Sequence, residues 1–166
     1  EIYRAHSTSV LISRSLGDYR LADGVAQTSV SPTVVAVSTD GGPTIVAAHV
    51  VAPSQVTMPQ WRADLEVLAN LCGEPDVILA GDLNATIDNM QGLGTKNIGN
   101  CVDAALVTHG AALGTWPTWL PTLGGTPIDH VMATPEWNIT GSTVLTSVDG
   151  AGSDHRPLLA QLSRAG

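Results

Sequence analysis

Three short polar motifs in the second half of the chain carry the residue types that hydrolytic chemistry needs. They occupy residues 81–84 (GDLN), 128–131 (IDHV) and 152–157 (GSDHRP), and each lies at the end or the beginning of a strongly apolar stretch. Together they supply three carboxylates, an amide and two histidines. Such a set suits the polarisation of a phosphate ester by a divalent metal and proton transfer by an Asp–His pair.

The first motif places a carboxylate next to an amide. Asp82 and Asn84 are two residues apart, so on extended chain both side chains project from the same face at the end of a strand. A carboxylate that deprotonates water, beside an amide that holds phosphate oxygens, would serve phosphoester hydrolysis. An Asx turn that closes the strand is the structural alternative.

The other two motifs supply a metal ligand and an Asp–His pair. Asp154 is a carboxylate of the kind that Mg²⁺ prefers, and His155 would contact the phosphoryl group or the attacking water. Asp129 would orient His155 and stabilise its charge. The structural alternatives are a turn before the last strand for Asp154 and His155, and the opening of a strand for Asp129. His49, in an apolar strand, is either a core histidine or the group that protonates the leaving group. His130 is predicted either to support a site residue from behind or to be structural.

The apolar pattern predicts a single domain over residues 1–166, of the α/β class and built on a mixed or antiparallel sheet. A helix is expected over 57–73, with Thr57 and Gln60 in a capping box and with Asp64 on its polar face. Residues 85–100 are predicted to form a surface excursion and 102–107 a short helix. Trp116 and Trp119 either line the pocket or pack in the core, and packing in the core is favoured. Strands are predicted at residues 9–13, 33–39, 44–51, 77–80, 127–133, 139–147 and 157–162.

The charge balance limits the class of substrate. Fifteen acidic residues face seven basic ones, for a formal charge of −8, and the arginines are scattered rather than clustered. A protein that binds a nucleic-acid backbone needs a basic stripe, because each neutralised phosphate adds to affinity through counterion release. Long nucleic acid is therefore disfavoured as a partner, and a small or membrane-borne phosphoester is favoured. Solubility is the simpler explanation of the acidic surface.

Two cysteines, Cys72 and Cys101, allow one disulfide or two buried thiols. With a single lysine and these two cysteines alone, the composition favours an extracytoplasmic or secreted location.

The order of these motifs resembles the endonuclease/exonuclease/phosphatase superfamily, whose fold is that of DNase I. The resemblance rests on His49 in a strand, residues 81–84, the Thr-Trp-Pro loop at 115–117, residues 128–131 and residues 153–158. It implies a four-layer α/β sandwich and hydrolysis that depends on Mg²⁺ or Mn²⁺. In the matching roles Asp82 activates the nucleophile, Asn84 holds the phosphate, Asp154 binds the metal, His155 binds the scissile phosphate with Asp129 behind it, and His49 assists.

One family motif is missing from this sequence. Members open with a strand that ends in Asn, followed by a Gln-Glu pair whose glutamate binds the metal, and Glu1 does not fill that position. The chain therefore resembles the C-terminal two-thirds of the domain, without its N-terminal strands and helix. Metal binding would be weak or absent in such a fragment. An exposed sheet edge would favour self-association, and the missing region would be the place for any membrane anchor.

Two classes of function follow. The first is a metal-dependent phosphodiesterase or phosphatase that acts on a small or lipid-borne phosphoester, with a nuclease as a variant of the same class. The second is a catalytically inactive binding or regulatory module that retains the fold.

Overall fold

The computed structural model describes residues 7–166, and its largest element is a mixed sheet of six strands. The order across the sheet is β1-β2-β3-β4-β6-β5, in which β3 and β4 run parallel and every other neighbouring pair is antiparallel. These strands span Tyr19–Leu21 (β1), Val34–Ser38 (β2), Thr44–His49 (β3), Val77–Asp82 (β4), Val102–Asp103 (β5) and Asp129–Ala133 (β6). A second, antiparallel sheet contains Trp137–Val144 (β7) and Leu158–Arg164 (β8).

One face of the large sheet is covered by the long helix α1, Met58–Leu71. Because side chains alternate between the faces of a strand, Val46 of β3 and Leu79 of β4 point to the same side, and both are fully buried. They belong to one core cluster with Trp61, Leu65 and Leu68 of α1. The helical spacing of these apolar residues thus determines which side of the helix meets the sheet.

The second sheet lies beyond β6, which is in contact with β8. A cleft of about 550 Å³ opens there, and its wall includes Ala80 of β4, Val131 of β6 and Leu158 of β8. This mixed α/β arrangement with two sheets is the architecture expected from the sequence. Glu1, which was considered for the position of the missing glutamate, lies outside the described residues.

The predicted strand at residues 9–13 is wrong. This run has no regular secondary structure, and the side chain of Leu11 is 98% exposed. An apolar run becomes a strand only where a neighbour completes its hydrogen bonds, and none of the described strands pairs with it. A short 3₁₀ turn, Arg14–Leu16, follows instead.

The helix prediction is correct in extent and wrong in two details. Thr57 makes no capping hydrogen bond, because its hydroxyl donates to the carbonyl oxygen of Ala52 at 2.7 Å. Asp64 is not on a solvated face but is 4% exposed. Its carboxylate accepts hydrogen bonds from the backbone and hydroxyl of Ser29 and from the backbone of Val51. These partners come from distant segments, which helical periodicity alone does not indicate.

Residues 85–100 are only partly a surface excursion. They contain the 3₁₀ turn Ile87–Met90, and the side chains of Met90 and Ile98 are fully buried in the core. Cys72, at the end of α1, forms a disulfide with Cys101. The predicted helix over 102–107 is shorter than expected: residues 102–103 pair with β6, and helix α2 spans Ala104–Val107 with Asp103 as its N-cap. None of the described helices is long and apolar enough to cross a membrane.

Candidate active site

The strand register brings three candidate residues to the same edge of the large sheet. In the parallel pair β3–β4, His49 is the partner of Asp82, and in the antiparallel pair β4–β6, Asp82 is the partner of Asp129. The three side chains therefore come from neighbouring strands and lie side by side across the sheet. Apolar residues that precede His49 and Asp82 in their strands are buried in the core, and their packing fixes the two strands in this register.

Gly81 is required by the close approach of β3 and β4. It has a φ of 154°, and a Cβ atom at this position would collide with the backbone carbonyl of Ala48. Glycine permits this approach because it carries no side chain. The motif Gly-Asp thus has a steric reason for its first residue as well as a chemical reason for its second.

His155 approaches this edge from the loop before β8. Its Nδ1 donates a hydrogen bond to Oδ2 of Asp129 at 2.8 Å, and its Nε2 lies 3.9 Å from Oδ2 of Asp82. On the other side, Nε2 of His49 lies 3.6 Å from the same Asp82 oxygen. Asp82 is therefore flanked by two imidazoles, one of which is oriented by a second carboxylate. This is an arrangement that can move a proton.

The local charges shift two pKa values upward. Burial raises the pKa of Asp82 above its ordinary value of 3.8, and the neighbouring carboxylate of Asp129 raises it further, against the opposing effects of Asn84 and the two histidines. The hydrogen bond to Asp129 raises the pKa of His155 above 6.5, although burial of the imidazole opposes this shift. Both shifts favour bound protons at the cleft, and titratable groups with such shifts are typical of active sites.

Asn84 lies in a tight turn and not on extended chain. The strand ends at Asp82, and Asn84 has a φ of 46°, which is left-handed. Its backbone N–H donates to Oδ1 of Asp82 at 2.8 Å, the contact of an Asx turn. The amide Nδ2 donates to the carbonyl of Val50 at 2.9 Å and faces Oδ2 of Asp82 at 3.3 Å. The side-chain amide thus lies beside the carboxylate of Asp82, as the chemical interpretation expected. Asn84 also forms the Asx turn that was the structural alternative.

Asp154 is placed differently from the other candidates. Its carboxylate Oδ2 accepts a hydrogen bond from the indole of Trp116 at 3.0 Å. Among the described residues, the group that could hold a metal ion comprises Asp82, Asp129 and His155, which offer ligand atoms within 4.8 Å of one another. Asp154 lies outside this group.

Sequence reasoning missed the role of Arg156, which is 3% exposed. Its guanidinium donates to both carboxylate oxygens of Asp149 and to four backbone carbonyls of the loop between α2 and β6, those of Gly114, Pro117, Thr118 and Leu120. This one side chain ties the loop of Trp116 to the segment that carries His155. The only signal in the sequence was an arginine directly after the motif's histidine.

The expectation that both tryptophans pack in the core is wrong for Trp119, which is 76% exposed, and incomplete for Trp116. Trp116 is partly exposed, and its ring centroid lies 6.4 Å from that of His155. Its indole reaches Asp154 because the loop between α2 and β6 is hydrogen-bonded to that segment, where the backbone N–H of Thr118 donates to the carbonyl of Asp154 at 2.9 Å. By contrast, His130 is buried, as expected for a structural histidine.

The mixed α/β fold with two sheets is that of the DNase I-like proteins. Residues 5–155 match the family model described as the endonuclease/exonuclease/phosphatase family, and the chain belongs to that family. Comparison with curated protein sequences gives no match.

Similar solved structures support the same fold. An endonuclease/exonuclease/phosphatase from Beutenbergia cavernae is 19% identical, with a TM-score of 0.60 over 89% of this chain and 46% of that one. An AP endonuclease from Archaeoglobus fulgidus is 16% identical, with a TM-score of 0.60 over 87% and 71% of the two chains. A mannosyl-6-phosphatase from Bacteroides thetaiotaomicron is 17% identical, with a TM-score of 0.51 over 89% and 66%. The chain thus spans 46% of the length of the Beutenbergia cavernae protein and 57% of that of a functionally unknown conserved protein from Enterococcus faecalis.

Proposed function

We propose that this chain carries the acid–base half of a divalent-metal-dependent phosphoester hydrolase that acts on a small or lipid-borne phosphoester. The observation that carries the proposal is the single cluster of Asp82, Asp129 and His155, flanked by His49 and Asn84, in an open cleft. Membership of a family of nucleases and phosphatases supports the same reaction class. The acidic composition disfavours long nucleic acid as the substrate.

The donor set of the cluster fits a divalent cation. Two carboxylates face each other across β4 and β6, and their mutual repulsion contributes to the raised pKa of Asp82. A hard cation prefers such oxygen ligands. Oδ2 of Asp129 is engaged by His155, so Oδ1 of Asp129 and the carboxylate of Asp82 are the atoms that would hold Mg²⁺ or Mn²⁺. When bound, the cation would supply Lewis-acid polarisation of the phosphate. Asp154 stays a predicted further ligand, through the oxygen that Trp116 does not engage.

The residues of the cleft then have distinct roles. Asp82 accepts a proton from the attacking water through a carboxylate oxygen that does not hold the cation. His155, held by Asp129, donates from Nε2 to a phosphate oxygen. Asn84 donates from its amide to a second phosphate oxygen in exchange for its contact with Asp82. His49, on the far side of Asp82, is placed to protonate the leaving group.

The test is hydrolysis of a chromogenic phosphodiester and of the matching monoester, with Mg²⁺ or Mn²⁺ and with a chelator. We expect metal-dependent turnover that is lost in Asp82→Ala and His155→Ala and retained in His109→Ala, which changes an exposed histidine. If this chain is inert, a longer polypeptide that contains a Gln-Glu motif should be active and should lose activity through the same substitutions. Failure of both polypeptides to turn over substrate or to bind metal in calorimetry would favour the inactive binding module.

The disulfide between Cys72 and Cys101 supports the further proposal of an extracytoplasmic location. Thiol labelling of the protein recovered from its native source tests it. Two reactive thiols under denaturing conditions would overturn it.

A further inference from the structure

The turn that follows Asp82 needs support from outside itself. Asn84 has a left-handed φ of 46°, a conformation that L residues adopt rarely. The turn itself contributes two contacts to Asp82, from the backbone N–H of Asn84 to Oδ1 and from its amide to Oδ2. The amide also donates to the carbonyl of Val50 at 2.9 Å, so its position depends on that contact and on the backbone conformation of the turn.

Two buried rings hold the consecutive carbonyls of this turn from two different elements. The indole Nε1 of Trp61, in α1, donates to the carbonyl of Asn84 at 3.1 Å. Nε2 of His130, in β6, lies 2.7 Å from the carbonyl of Ala85. A carbonyl oxygen can only accept, so this ring nitrogen carries the hydrogen.

The second nitrogen of His130 anchors the ring. Nδ1 lies 2.8 Å from Oδ2 of Asp103, whose other oxygen accepts the backbone N–H of Leu106 at the start of α2. His130 is 3% exposed and Asp103 is fully buried. A buried carboxylate needs such partners, because an unpaired charge in the interior is costly. The pair therefore links α2 rigidly to the turn.

We infer that Trp61 and His130 are positioning residues that hold the Asn84 turn, and thus the Asn84 amide, at the distance from Asp82 that the reaction requires. This inference rests on the proposed hydrolytic function. A displaced amide would affect the transition state more than substrate binding, since misplacing a reacting group by about 1 Å costs up to about 100-fold in rate. The two residues themselves touch neither substrate nor metal in this proposal.

Trp61→Phe gives the mildest test, because it removes one N–H and keeps an aromatic ring in the core. His130→Gln is the second variant, since its amide can still donate to one of the two partners. Trp137→Phe is the matched control: it removes an indole hydrogen bond of 2.8 Å to Asp76, at the opposite end of β4. The measurements are kcat and KM with the chromogenic phosphoester, and hydrogen exchange of the backbone amides of Leu83, Asn84 and Thr86.

We expect kcat to fall about 10-fold in Trp61→Phe and in His130→Gln, with KM within about 2-fold of the wild type. Exchange at the three amides should be faster in both variants, and neither quantity should change in Trp137→Phe. Unchanged kcat, or reduced kcat without faster exchange at the turn, overturns the inference. If neither this chain nor the longer polypeptide hydrolyses a phosphoester, the proposed function fails, and the exchange data alone decide whether Trp61 and His130 hold the turn.

Discussion

Asp82 and Asp129 are partners in the antiparallel pair β4–β6, so two carboxylates meet at one edge of the sheet. Their carboxylate oxygens lie within 4.8 Å of each other, so the two negative charges repel. The flanking imidazoles of His155 and His49 only partly offset that repulsion. The edge therefore favours additional positive charge, whether it is a proton or a cation. This relationship determines the pH and metal dependence that we expect.

Asp129→Asn should lower the pKa of His155. The hydrogen bond to Asp129 is the largest contribution that raises this pKa above 6.5, and the charge of Asp129 adds to it. Their loss leaves burial, which lowers the pKa, opposed only by the charges of Asp82 and Asp154. The pKa of Asp82 should fall as well, because the repelling carboxylate is gone. The pKa of His155 is measured in the metal-free wild type and in the metal-free variant by NMR titration of the histidine ring signals. Asp88→Asn, at an exposed position, is the control, and an unchanged His155 midpoint in Asp129→Asn would contradict the assignment.

The rate of hydrolysis should depend on pH with a maximum between two limbs. Asp82 must be ionised to accept a proton from water and to help hold the cation, so activity rises with pH as Asp82 loses its proton. Its pKa is raised above 3.8 in the metal-free protein, and a bound cation moves this limb to lower pH. His155 must keep its proton to donate to phosphate, so activity falls only as pH passes its raised pKa, above 6.5. A profile of kcat/KM against pH measures both limbs. An alkaline limb below pH 6.5 would show that His155 is not the donor.

The free energy of unfolding should depend on pH through the protonation of His155. A raised pKa in the folded state means that His155 stabilises the fold fully below its ordinary value of 6.5. That contribution is lost as pH rises through the folded-state pKa. Urea unfolding of the wild type between pH 6 and 9 should therefore show a decline that is smaller in Asp129→Asn. Equal declines in the two proteins would indicate that another group is responsible.

Removal of the disulfide should destabilise the chain substantially. Cys72 and Cys101 are 29 residues apart, and closing a loop of that length restricts the unfolded chain by about 3–4 kcal/mol. The double variant Cys72→Ala, Cys101→Ala should lose free energy of unfolding of this order in urea titrations. Reduction of the wild type provides an independent measurement. A loss below about 1 kcal/mol would mean that the unfolded chain already holds these segments together.

Arg156→Ala should lower the free energy of unfolding by about 3–5 kcal/mol, because it leaves the carboxylate of Asp149 and several buried carbonyls without their donor. Arg156→Lys should recover little, since an ammonium group cannot reproduce the planar set of donors. Arg62→Ala, which changes an exposed arginine of α1, is the control. Full stability of Arg156→Lys would show that charge alone, without the fork geometry, holds the loop.

The strand-end motifs were predictable because apolar runs of the right length precede them. Residues 77–80 had to be buried, so Asp82 had to emerge at a strand end, and the helix over 58–71 followed from its periodicity. His49 was expected inside a strand over 44–51, and the structure places it at the end of β3. The family resemblance was available from the same motifs, and both the family and the fold class are confirmed.

Tertiary structure alone decided which polar groups meet. The pairing of His130 with Asp103, of Arg156 with the carbonyls of residues 114–120, and of Asp64 with Ser29 joins segments that are distant along the chain. Local propensity and periodicity report only which face of an element is apolar, whereas these hydrogen bonds depend on the packing of several elements at once. The sequence thus determined the chemical groups of the site, and packing determined their partners.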